Sequence, residues 1–253
     1  MNSKNFLSTA ENATFCGNNT QINQKICGHP SNLRHLRAFI ILLTVLASAC
    51  GQRQPQKLET IAVQVADIQP QRLNPEDIPD AAKYTGNFSE AYRYVDKTGE
   101  NIVILAETEV TTSEDEDGDI IAHKAIYAHR FLKKNNHWEE TWKAYHHESE
   151  CFNYPVAEFV KGAFSVTDLD NDGVAEIWLV YISSCRGDFS PDKMFIRLHD
   201  NRAVYMMTGE RILKFGDDVI GGEYTFDEKF SNSNTPQAFR EYGVMLWEKY
   251  VGK

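Results

Sequence analysis

Positive charge is what this chain has least of: 26 Lys and Arg stand against 36 Asp and Glu in 253 residues, a formal net charge of −10. The deficit deepens along the chain. Residues 1–49 hold Lys4, Lys25, Arg34 and Arg37 against Glu11 alone, which leaves −13 on everything from Cys50 onward. A surface of that sign repels phosphate, so nucleic acid is excluded as a partner. Direct adsorption to anionic lipid, which needs clustered Lys and Arg, is disfavoured with it. The familiar signatures of catalysis are missing too: there is no GxSxG, Walker or GxGxxG pattern and no HExxH. Ser190-Pro-Asp-Lys193 and Lys97-Thr-Gly99 match two elements of penicillin-recognising serine enzymes, but in reversed order and between strand-like runs, so they read as coincidence. Methionine is absent between Met1 and Met194, so any internal start ahead of the apolar run at 38–46 would need a non-AUG codon, at Leu33 or Leu36.

That apolar run is short of the roughly 20 residues that span a bilayer. Arg34 and Arg37 precede it and Ala47-Ser48-Ala49-Cys50 follows it. A positive start, a short apolar stretch and small residues at the cut describe an export signal. The ending resembles a lipobox, in which the cysteine is fatty-acylated before cleavage on its N-terminal side. Here Ala47 stands where such sites usually carry Leu, and Leu46 precedes it. The expectation is a lipoprotein anchored to the membrane through Cys50, with residues 1–32 a disordered extension ahead of the true start. Gly51 is not the Asp that resembles an inner-membrane retention signal, which points to the outer membrane.

Cysteine use agrees with export. Cys16 and Cys27 fall before the cut and Cys50 is consumed by lipid, leaving Cys151 and Cys185 as a pair for an oxidising compartment, with two separate buried thiols as the competing reading. Past Cys50, Gly-Gln-Arg-Gln-Pro-Gln-Lys is a polar tether. Pro70, Pro75 and Pro79 mark an extended lead-in to about residue 80, and 81–253 reads as one mostly-β domain. Strand-like runs at 91–95 and 101–110 flank the turn Asp96-Lys97-Thr98-Gly99. Others fall at 120–132, 138–145, 158–166, 177–182, 194–198, 203–207 and 222–226. Thr235-Pro236 then starts a helix whose Phe239, Tyr242, Leu246, Trp247 and Tyr250 share one face. The fold class is mainly β (α+β): a curved antiparallel sheet of hairpins with a C-terminal amphipathic helix.

One segment carries chemistry: Asp168-Leu-Asp170-Asn-Asp172-Gly173-Val174-Ala-Glu176. Alternating carboxylates with Gly at the sixth place can wrap oxygen ligands around a hard cation such as Ca²⁺. Asp168, Asp170, Asp172, the Val174 carbonyl and Glu176 are the candidate ligands. Position twelve is Leu179 rather than a bidentate Glu, and both flanks are strand-like, so an EF-hand is excluded and affinity should be weak, about 0.1–1 mM. The strand–DxDxDGxxE–strand pattern resembles the calcium loops of FG-GAP and integrin-type repeats. The competing reading is a metal-free turn held by Asx hydrogen bonds, whose difficulty is four carboxylates without a counter-charge. The run Glu114–Asp119 lacks the alternation and reads as a solvated hairpin tip. His146-His147 has no third ligand spaced to make zinc, and Arg186-Gly-Asp188 is too short a match to carry adhesion.

Residues from about 84 to 250 resemble a family of small bacterial lipoproteins described as surface polysaccharide biosynthesis proteins. The landmarks are Gly99-Glu-Asn-Ile-Val-Ile104, Val166-Thr-Asp-Leu-Asp-Asn-Asp-Gly-Val-Ala-Glu-Ile-Trp178, Ser184-Cys-Arg-Gly-Asp188 with Ser190-Pro191, Gly221-Gly-Glu-Tyr224, and Phe239-Arg-Glu241 with Leu246-Trp247. The resemblance implies a role in making or displaying lipopolysaccharide or capsule, with glycan-assembly proteins or the glycan itself as partners and no catalytic residues to carry over. A non-catalytic accessory protein is the first expectation. A glycan-modifying enzyme using acidic residues, or a surface adhesin, are the alternatives.

Overall fold

The computed structural model describes residues 68–253; Cys50, the export signal and the tether lie outside the described residues. Hydrogen bonding divides the expected hairpin-built antiparallel fold into two six-stranded sheets and a small hairpin. The first sheet holds β1 (Gln71–Leu73), β2 (Asn87–Asp96), β3 (Gly99–Glu107), β4 (Thr111–Glu114), β5 (Ile120–Lys134) and β6 (His137–Cys151). The long β5 takes β3 and β4 along one edge and β6 along the other. The second sheet holds β7 (Tyr154–Phe159), β8 (Ser165–Thr167), β9 (Glu176–Arg186), β10 (Lys193–His199), β11 (Val204–Glu210) and β14 (Tyr224–Phe226). Between the last two, β12 (Leu213–Phe215) and β13 (Asp218–Ile220) pair only with each other. Two helices, α1 (Glu228–Ser231) and α2 (Gln237–Tyr250), close the chain. Among the described residues no helix is long and apolar enough to cross a membrane.

Side-chain alternation along strands builds the layers. On β9, Ile177, Leu179 and Tyr181 point to the first sheet and join Val103, Leu105, Ile126 and Ala128. Trp178, Val180 and Ile182 point the other way, to Phe230 of α1 and Phe239, Leu246 and Trp247 of α2. The buried stripe of α2 is therefore the one its three- and four-residue spacing specifies, and each such aromatic stabilises by about 1.5–3 kcal/mol. The outer face of the first sheet is covered by the lead-in: Leu73, Ala82 and Ile78 pack on Ala91, Ile102 and Ile104. The segment expected to be an extended approach thus belongs in part to the fold, with β1 paired to β2. At the β5–β6 turn, Asn135 and Asn136 both take positive φ (49° and 66°), the geometry of a tight hairpin that Asn tolerates.

Two local expectations differ from the structure. The run 158–166 is not one strand: the chain turns at Gly162 (φ 69°), and β7 and β8 pair with successive stretches of β9. Thr235 does not cap α2. Its hydroxyl donates to the Lys229 carbonyl at 2.6 Å, securing α1 instead.

The disulfide expected from elimination is formed: Cys151, last residue of β6, is bonded to Cys185 of β9 and so joins the two sheets. Toward the opposite end of β9, where His199 of β10 pairs with Ile177, that histidine lies buried with its ring stacked on Trp142 at 4.0 Å. Burial, together with the Arg197 and Arg130 charges, pushes its pKa down to about 3. The unfolded chain takes up this proton near pH 6.5, so stability present above that pH is lost as pH falls toward 3. Urea unfolding between pH 7 and 4 is expected to show that loss, and His199→Phe, which keeps a ring on Trp142, to flatten it. Parallel pH profiles of the two proteins would contradict the assignment.

Candidate metal centre

The acidic segment forms the connection from β8 to β9, and its conformation is written in its own side chains. Asp168 accepts from the Gly173 N–H at 3.2 Å, Asp170 from the Asp172 N–H at 3.2 Å, and Asp172 from the Val174 N–H at 2.8 Å. The last two are Asx turns in series and the first closes the loop over five residues, and Asn171 and Gly173 take the positive φ values (58° and 85°) that the tight path needs. The two readings left open by the sequence therefore coexist. The loop closes through Asx hydrogen bonds, and it also brings one carboxylate oxygen each from Asp168, Asp170 and Glu176 within 4.8 Å of one another. Three hard oxygen donors at that spacing can bind a metal ion.

Of the four expected carboxylate ligands, Asp172 is not in this group: one of its oxygens accepts from the Val174 N–H. Glu176 has a double role. Fully buried, it accepts from the Thr167 hydroxyl at 2.6 Å, from the Leu169 N–H at 2.8 Å and from the Asp170 N–H at 3.4 Å. Burial still prevails over those donors and pushes its pKa up to about 7. Thr167 in turn accepts from the Trp178 indole N–H at 2.9 Å, linking the loop to the helix-side core.

The neighbours that steady the loop come from distant sequence. Asp96, at the end of β2, is wholly buried in its side chain. One of its oxygens accepts from Thr98 N–H (2.8 Å) and from Asn101 (3.1 Å); the other accepts from the Ala175 N–H at 3.0 Å and faces Arg130 at 3.5 Å. Lys97 completes the bridge. Its N–H donates to the Gly173 carbonyl at 2.8 Å, and its ammonium to the Asp172 carbonyl at 3.1 Å. The β2–β3 turn is thus clamped onto the acidic loop. A counter-charge, which sequence alone did not supply, comes from Arg202 in the β10–β11 turn. Its guanidinium holds Asp170 and, at 3.1 Å, Asp200.

Arg202 is bound to the carboxylate of Asp170, a member of the three-oxygen group, and its side chain is largely exposed. Removing it by Arg202→Ala is expected to raise Ca²⁺ affinity by about two- to fivefold, the modest scale of a solvent-exposed charge. Calorimetric titration reads this directly; an unchanged or weakened affinity would show that the arginine does not compete.

The remaining motifs resolve simply. His146 packs inward on Tyr181 and Phe195, while His147 lies exposed beside Tyr145, so the two rings sit on opposite faces of β6 and share no metal. The Arg186 guanidinium is held by Asp192, with Nε at 2.8 Å, and Asp188 accepts from the Ser190 N–H. The 114–119 run forms an Asx-closed tip around Asp115. Fold and site together define a disulfide-joined, two-sheet β domain carrying a clamped acidic loop. Comparison of the chain with protein-family models, curated proteins and solved structures finds no match.

Proposed function

We propose that this chain is an exported, lipid-anchored accessory protein of surface-polysaccharide assembly, non-catalytic, with a calcium-holding loop that stiffens the contact between its two sheets. The observation that carries the cation reading is the group of three carboxylate oxygens, from Asp168, Asp170 and Glu176, within 4.8 Å. Oxygen donors of this kind suit Ca²⁺ in the extracytoplasmic range of affinity. The disulfide supports an oxidising compartment, as does the Arg34–Cys50 export pattern. The glycan role is supported by the resemblance of the 99–104, 166–178, 184–191 and 221–224 segments to surface polysaccharide biosynthesis lipoproteins. The same carboxylates serve a cation better than acid–base work on a sugar: Glu176 is buried and committed to three donors, the Thr167 hydroxyl of β8 and two N–H groups of the loop, whereas a glycosidase pair must face an open cleft.

The test is a deletion strain profiled for surface lipopolysaccharide and capsule, complemented with wild type, Cys50→Ala and Asp170→Ala. Altered glycan restored by wild type but not by Cys50→Ala is the expected outcome. Normal glycan in the deletion strain would remove the reading.

A further inference from the structure

The Gly221-Gly-Glu-Tyr224 landmark has no part in the acidic loop, yet it borders a groove of about 730 Å³. That volume lies within the range of small-ligand sites, roughly 300–1,000 Å³. The floor is fixed. Gly209 of β11 faces Tyr224 of β14, and a side chain at Gly209 would begin 2.0 Å from the Glu223 carbonyl. The Trp247 indole N–H holds the Gly222 carbonyl at 3.0 Å, pinning the same segment to α2. The wall is the β12–β13 hairpin, which belongs to neither large sheet. Its base is narrow: Gly221 and Gly222 take φ of 78° and 98°, and a Cβ on Gly221 would lie 2.3 Å from the Arg211 carbonyl. Val219 and Ile220, 62% and 45% exposed, line the groove from this hairpin, and no other layer among the described residues covers them.

The lining specifies a chemistry. Val219, Ile220 and the Tyr224 ring offer apolar surface, while Lys193, Glu210 and Glu223 with two threonine hydroxyls offer donors and acceptors side by side. A pyranose presents the matching combination, an apolar C–H face edged by hydroxyls that both donate and accept. Two carboxylates against one ammonium, on a domain already strongly acidic, turn away polyanions. An extended peptide would need strand edge to pair with, and β14 supplies only three residues. We infer that this groove binds a neutral oligosaccharide, an inference that rests on the surface-glycan reading and gives it a contact site.

The full chain is titrated with cellohexaose, maltohexaose and chitohexaose, with hexagalacturonate and a Val/Thr-rich decapeptide as competing probes, by calorimetry and intrinsic fluorescence. At least one neutral hexasaccharide is expected to bind. Tyr224→Ala and Val219→Ser should each weaken it by about tenfold, the scale of one lost contact group, while Ile120→Ser, at an exposed position of the first sheet, binds like wild type. Val219 is solvent-facing, so its substitution leaves folding intact even if Tyr224→Ala does not. No neutral sugar bound, a preference for hexagalacturonate or peptide, or binding that survives Val219→Ser would overturn the inference. An altered glycan in the deletion strain without sugar binding sinks the groove alone; sugar binding with normal glycan sinks the accessory role alone.

Discussion

Asp96→Ala is expected to lower the unfolding free energy by about 3–5 kcal/mol, the cost of breaking a buried, hydrogen-bonded ion pair from one side. Its carboxylate is the shared acceptor of Thr98, Asn101 and Ala175 and the partner of Arg130, with no exposed side-chain surface. Removal leaves the guanidinium of Arg130 with a hydrogen bond to Asn101 at 3.1 Å but without its carboxylate, and frees the Ala175 N–H at the last turn of the acidic loop. Two readouts should therefore move together: the urea midpoint of the whole domain, and its affinity for Ca²⁺, although residue 96 is no ligand. Asp96→Asn keeps the shape but turns an amide toward donors, and should fall between wild type and alanine. A loss below about 0.5 kcal/mol, the range of ordinary surface substitutions, would mean that the bridge between the β2–β3 turn and the loop contributes little.

The second large effect belongs to the disulfide. Cys151 and Cys185 are 34 residues apart in sequence. Closing a loop of that length restricts the unfolded chain by ~3–4 kcal/mol on the chain-entropy account. The Cys151→Ala/Cys185→Ala double variant should lose that amount, and wild type unfolded in the presence of reductant should match it. For a domain of this size each kcal/mol moves the melting temperature by about 2–4 °C, so a fall of roughly 10 °C is expected by calorimetry. Both thiols lie where the last residue of β6 meets β9, so their separation also removes a link between the sheets. A double variant melting with wild type would contradict that role.

What the sequence made legible follows from local physics. Alternation located most strands, the Asn135-Asn136 and Asp96–Gly99 turns announced their hairpins, and three- and four-residue spacing marked the buried face of α2. Counting cysteines after the export cut left one pair, which is the pair that bonds. The acidic loop showed itself through Asp spacing and Gly173. Illegible were the contacts made at long range. Asp96 reads as a turn residue, and nothing local says that it reaches Ala175, 79 positions on. Arg202 sits in another turn, so the counter-charge on Asp170 could not be foreseen, and with it missing the metal-free loop looked more costly than it is. The partition into two sheets depends on which edges β7 and β8 choose, a pairing that alternation alone does not encode.

Calcium titration of the chain, by calorimetry with parallel thermal unfolding, tests the central claim most directly: that Asp168, Asp170 and Glu176 act as one cation-holding group. With affinity in the expected range, metal at about tenfold over Kd stabilises by about 1.4 kcal/mol and raises the melting temperature by roughly 3–5 °C. The shift should vanish in Asp170→Ala. Absence of both heat and thermal shift in wild type at millimolar Ca²⁺ would leave the loop as an Asx-closed turn balanced by Arg202, and would contradict the account.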